Sequence, residues 1–146
     1  MLTTPPVTEV AGRLRLVVAR TARRLRQEAG ADLSPSLSSA LAAIDRHGPM
    51  TPSEVAAHER VQRPTATRVL ARLEALGLVD RAADPADRRS SLISASPAGR
   101  TLIRRQRSRK NQYLARRLAT LEPGEVAALD RAATILERLL DEEGRR

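Results

Sequence analysis

Leu73-Glu74-Ala75-Leu76-Gly77-Leu78-Val79, followed by Asp84-Pro85-Ala86-Asp87-Arg88-Arg89, is the stretch whose reading decides the fold of this chain. An apolar helical stripe runs into Gly77, which stops it. The hydrophobic period then changes from helical to alternating. The pattern predicts two short strands, 78–82 and 90–94, with the charged hexapeptide as the turn between them. A β-hairpin therefore stands directly behind a helix.

The preceding segment gives that helix a partner. Ala66, Val69, Leu70, Leu73 and Leu76 form one stripe over 63–76, with Pro64 in the first turn. Before it, Thr51-Pro52-Ser53-Glu54 has the form of a capping box. Thr51 caps, Pro52 takes the first turn, and Glu54 is placed to reach back to the Thr51 N–H. The helix it opens is short, to about His58, with Val55 and Ala56 inward. Two short helices joined by a brief turn form a helix-turn-helix. With the hairpin as its wing, the unit reads as a winged helix-turn-helix.

Further helices flank this unit. Val10, Leu14, Val17, Val18, Ala22 and Leu25 give 7–29 helical spacing, after Pro5 and Pro6 and before Gly30. Ser34-Pro35 opens the next helix, with Leu37, Leu41 and Ile44 inward and Gly48 at its end. Ser96-Pro97 starts a long helix to about Ala119. Pro123 starts the last one, with Val126, Leu129, Ile135, Leu136, Leu139 and Leu140 on its apolar face. The fold class is mostly α with a small β-hairpin.

Composition agrees with packed helices. The 146 residues are 41% hydrophobic, with no Phe, no Trp and one Tyr, so the core is aliphatic. Twenty-six basic residues, all but one of them Arg, oppose seventeen acidic ones, for a net charge of +9. A guanidinium fork suits phosphates and guanine edges, so this balance points to nucleic acid. The absence of Cys excludes disulfides, thiolate metal sites and thiol redox sensing. No apolar run approaches the ~18 residues of a membrane span, and a cytoplasmic protein without membrane contact is expected. No metal motif, Gly-rich phosphate loop or nucleophile–base pair stands out, so neither an enzyme nor a cofactor is expected. His47 and His58 are the only histidines and make a poor metal site.

The 100° step of a helix assigns the outer face of 63–77. Pro64, Thr67, Arg68, Ala71 and Ala75 lie opposite the stripe, with Arg72 beside them. Small residues let a helix sink into the major groove. Arg68 is suited to guanine O6 and N7, and Thr67 to a base edge or a thymine methyl. Arg63 and Thr65, near the helix start, suit phosphates. Arg88 and Arg89 at the hairpin tip suit a narrow minor groove. Asp84 and Asp87 would repel phosphate, so they are expected to structure the tip, with Asp84 pairing an arginine across the turn. The run Arg104, Arg105, Arg107, Arg109 and Lys110 reads as a solvated helix face, with a phosphate or an acidic partner as the alternative. Tyr113 reads as a helix–helix contact.

These motifs together resemble the multiple-antibiotic-resistance regulator (MarR) family of bacterial transcription factors. The matching residues run from Met50 to Gly99. They include Thr51-Pro52-Ser53-Glu54-Val55-Ala56, Arg63-Pro64-Thr65-Ala66-Thr67-Arg68, the Leu73–Val79 run, the Asp84–Arg89 wing, and Ser96-Pro97-Ala98-Gly99-Arg100. The resemblance implies an obligate homodimer in which 1–33 and 100–146 form the dimerisation region and 34–99 the DNA-binding region. It implies a repressor of a pseudo-palindromic operator in double-stranded DNA. It also implies release by a small-molecule effector, in the family often an aromatic acid held between the two regions. The scarcity of aromatic residues argues against stacking of such a ligand here, although Arg could hold its carboxylate. The alternative is a non-specific architectural or nucleoid-type protein that uses charge alone.

Overall fold

The computed structural model describes residues 3–144. In chain order these form α1 (Val7–Glu28), α2 (Pro35–His47), α3 (Pro52–Glu59), α4 (Arg63–Ala75), β1 (Val79–Ala83), β2 (Ser91–Ala95), α5 (Pro97–Leu118) and α6 (Pro123–Glu143). The chain divides into two compact units, one up to Lys110 and one from Asn111.

Local chemistry explains the helix ends. The Ser34 Oγ accepts from the Leu37 N–H at 3.4 Å, and the Thr51 Oγ1 accepts from the Glu54 N–H at 3.2 Å. Only this half of the expected Thr51 box forms. The reciprocal box is found instead at the start of α6, between Glu122 and Glu125. Of the helices that run into a positive-φ residue, α3 and α4 share one kind of closure. Gly77, with φ 71°, closes α4 while Leu78 N–H bonds Leu73 C=O at 3.0 Å. Arg60, with φ 54° and ψ 46°, closes α3 while Val61 N–H bonds Ala56 C=O at 3.0 Å. Both are six-to-one closures, which Gly adopts without a Cβ penalty and Arg does not.

The first unit packs around Leu41, Ile44, Val55, Leu70, Leu73 and Ile93, the largest side chains sealed from solvent. Ala40, Met50, Leu78, Val79, Ala95 and Ile103 extend this cluster across α2, α3, α4, the hairpin and the start of α5. Leu76 departs from the expected stripe and is 42% exposed, because α4 ends one residue earlier.

The hairpin forms one residue later than its alternation suggested, with Val79 opposite Ala95 and Ala83 opposite Ser91. The shift follows from the Gly77 closure, which spends the Leu78 N–H on the helix. Met50 adds a bridge to Ile93, with N–H···O distances of 2.9 and 2.8 Å. A one-residue strand leaves no periodic signal, so the sequence did not announce it.

A tight corner joins α4, β1 and α5. The buried Ser96 donates its hydroxyl to Gly77 C=O at 2.6 Å and accepts the Gly99 N–H at 3.0 Å. Its own N–H bonds Leu78 C=O at 3.0 Å. A Cβ on Gly99 would collide with the Leu78 carbonyl oxygen, a backbone atom that cannot swing aside.

The helices at the two ends of the chain differ from this core. Neither α1 nor α6 has a buried residue. On α1, Val10, Leu14, Leu16, Val17 and Val18 are exposed; on α6, Val126, Leu129, Ile135, Leu139 and Leu140 are exposed. In the second unit Leu136 is half-buried.

Gly99→Ala is expected to lower unfolding stability by about 3 kcal/mol, the upper end for overpacking, as read by urea denaturation. Arg60→Gly relieves the left-handed strain and is expected to raise stability by about 1 kcal/mol, visible as a higher midpoint in the same measurement.

Candidate nucleic-acid interface

The turn between α3 and α4 is three residues long, Arg60 to Gln62. It sets the two helices against each other around Val55, Ala66 and Leu70. α4 buries Ala66, Leu70 and Leu73 and half-buries Val69. The opposite side exposes Pro64, Thr67, Arg68, Ala71, Arg72 and Ala75. The helical step had assigned the same residues to the outer face. The face is narrow where Ala71 and Ala75 stand, so a groove wall can approach the backbone there.

Individual side chains on α4 differ in what they have left to offer. The Arg63 Nη1 donates to the Ser53 Oγ at 2.6 Å, which ties the start of α4 to α3. The Thr67 hydroxyl donates to the Arg63 C=O at 2.9 Å, so its oxygen remains available only as an acceptor. Thr65 is half-buried against α2. The side chains of Arg68 and Arg72 have no hydrogen bond or ion pair among the described residues. With Ser34, Ser36 and Thr65 they line an open groove of about 340 Å³ between the start of α2 and α4.

The wing tip is built from two carboxylates that cap backbone N–H groups. Asp84 Oδ1 accepts from Ala86 N–H at 2.9 Å, and Asp87 Oδ1 accepts from Arg89 N–H at 2.9 Å. Asp84 N–H bonds Ser90 C=O at 3.2 Å, and Ser90 N–H bonds Asp87 C=O at 3.0 Å. The carboxylate bonds to Ala86 and Arg89 are Asx-turn bonds, which short carboxylates make to residues two places on. The expected Asp84–arginine pair does not form, because the nearby N–H is already in reach of the carboxylate. The ion pair in this region is Arg81–Glu74 at 3.2 Å, from β1 back to α4. Arg88 and Arg89 are exposed at the tip.

The basic run on α5 is less free than a solvated face. Arg109 Nη1 donates to Ala29 C=O at 3.0 Å and to Asp32 at 3.1 Å, holding the loop between α1 and α2. Arg107 lies 3.9 Å from Asp45. The buried Gln106 faces Ser38 at 3.5 Å. Arg104 and Arg105 are exposed, and Tyr113 is half-buried. The rings of His47 and His58, distant in sequence, lie 5.0 Å apart. Among the described residues no third His, Cys, Asp or Glu joins them in a metal-sized group. No helix among those residues is long and apolar enough to cross a membrane.

The structure thus exposes arginines on the outer side of α4 and at the hairpin tip, and links the two elements through Arg81 and Glu74. Comparison with known proteins assigns this architecture. A family model described as MarR family matches residues 31–90. An HTH-type transcriptional regulator of Mycobacterium tuberculosis is 41% identical over 134 residues, which is 91% of this chain and 94% of the relative. A solved Pseudomonas aeruginosa protein, described as a candidate transcriptional regulator, is 36% identical with a TM-score of 0.81, covering 93% of this chain and 98% of that one. The multiple antibiotic resistance repressor MarR shares the fold at a TM-score of 0.76 and 23% identity, over 92% of this chain and 96% of its own. The chain belongs to the MarR family, and it is a DNA-binding winged helix-turn-helix transcriptional regulator, not an enzyme.

Proposed function

We propose that the chain acts as a homodimeric repressor of a pseudo-palindromic operator. The observation that carries this reading is the outer face of α4, small and arginine-bearing, with the Arg88–Arg89 tip one hairpin away. In the proposed complex α4 enters the major groove. Arg68 reads a guanine edge, and Thr67 contributes an acceptor or a methyl contact. Pro64 and Ala71 give van der Waals fit, and Arg72 and Thr65 take phosphates. Arg63 braces the helix start through Ser53 and contacts a phosphate with its remaining donors. Arg88 enters the adjacent minor groove, Arg89 takes its rim, and Asp84 and Asp87 keep the tip in shape.

The dimer is supported by the terminal helices. Each carries a line of exposed Val and Leu that water solvates poorly. Six arginines against two glutamates leave α1 at +4, and six carboxylates against two arginines leave α6 at −4. Apolar stripes of opposite charge fit association between two copies. A two-fold axis then sets two α4 helices about 10 base pairs apart on the operator. The repressor role is supported by the shared fold with a protein named as a repressor. A small-molecule effector would act by shifting the population toward dimers whose reading heads no longer match that spacing.

Arg68→Ala is expected to cost about 1–3 kcal/mol on the operator and to relax preference at one base pair per half-site, read by quantitative footprinting. If operator and random DNA are bound equally at fixed salt by the parent protein, binding is architectural and the base-reading role is lost. Arg88→Ala is expected to weaken binding and to reduce the slope of log affinity against log salt by about 1. Leu14→Asp combined with Leu139→Asp is expected to convert a sedimenting dimer to monomer; a dimer that persists would remove the terminal helices from the interface.

A further inference from the structure

A pocket of about 300 Å³, open to solvent on one side, lies between α2, α3 and α4. Its wall is largely apolar, with Ala40, Val55, Val61, Ala66 and Val69 among the lining residues. That volume reaches the lower end of small-molecule sites. One ionisable group stands in the wall, Glu59, the last residue of α3. Its Oε2 accepts the Ser39 hydroxyl at 2.9 Å. Its Oε1 is sealed from solvent and has no hydrogen-bond partner. No ion pair reaches this carboxylate among the described residues.

Such an arrangement is electrostatically incomplete. Glu59 is half-buried, and the one oxygen of its carboxylate that is out of water lacks the donor it would otherwise have. The C-terminal end of α3 adds negative potential at the same place, since helix carbonyls point that way. Both favour a positive charge in the cavity, and the apolar lining favours a hydrocarbon body attached to it. We propose that this cavity binds a small organic cation, an ammonium or amidinium on an apolar skeleton, with Glu59 as its counter-ion. Ser36, Ser39 and Thr65 are the polar groups at the wall that fix its orientation. Because Thr65, Ala66 and Val69 belong to α4, occupancy presses on the helix that faces DNA. The site therefore takes an effector of the opposite charge to an aromatic acid.

Calorimetric titration of the full chain without DNA tests the site. The probes are phenethylammonium chloride, neutral 2-phenylethanol and anionic 3-phenylpropionate. The cation is expected to bind at least tenfold more tightly than either of the others. Glu59→Gln keeps the volume and the acceptor for Ser39 and is expected to lower the affinity for the cation at least tenfold. Ser36→Leu, which narrows the cavity, is expected to weaken all binding. Equal binding of the three probes by the parent protein, or an unchanged cation affinity in Glu59→Gln, would overturn the proposal. The regulatory part rests on the DNA-reading function above. Saturating phenethylammonium is expected to lower operator affinity at least threefold, and an unchanged affinity would sink that part. A chain that binds no operator at all would overturn the function proposed above and leave the calorimetric outcome standing.

Discussion

The corner at Gly77, Leu78, Ser96 and Gly99 sets the geometry on which the placement of the wing behind α4 depends. Ser96 takes the last carbonyl beyond α4 and caps α5 with the same hydroxyl. Gly99 lets the α5 backbone lie against Leu78, closer than any side chain would allow. The direction of the wing relative to α4 follows from this contact, because both strands leave and return through it. The Ser96–Gly99 bond is worth more than the average, since it is buried and its donor is shielded from water.

The arginines of this unit divide between two tasks. Arg63, Arg81 and Arg109 are spent on holding elements together, through Ser53, Glu74 and the Ala29–Asp32 loop. The side chains of Arg68, Arg72, Arg88 and Arg89 make no hydrogen bond or ion pair among the described residues, and all four residues are exposed. A count of positive charge does not distinguish the two groups. The distinction matters for binding, because only an arginine with unused donors adds a phosphate or base contact without breaking an existing one.

The terminal helices present the opposite situation. Their apolar residues repeat at helical spacing as regularly as those of α4, yet none is buried. At roughly 25 cal/mol per Å² of apolar surface removed from water, several such side chains on each helix represent a large unrealised gain. The proposed dimer is where that gain would be realised. The charge difference between α1 and α6 would then serve register and partner choice more than affinity.

Element order, the helix-turn-helix and the wing were legible in the sequence because their signals are local. Caps, prolines, a Gly stop and an apolar period each act within a few residues. The outer face of α4 was legible for the same reason, since one helical period fixes it. The shift of the hairpin by one residue, the Met50 bridge and the Asx bonds of Asp84 and Asp87 in place of an arginine pair were not. Neither were the Ser53–Arg63 bond, the Ser96 corner and the placement of Glu59 in a cavity. Each of these depends on backbone distances that arise only when distant segments pack, and no periodicity in one segment encodes them. The sequence by itself determined which residues form each helix and which side of α4 faces outward. The tertiary structure decided which hydroxyls and carboxylates meet, because those meetings are set by the contact of elements and not by their composition.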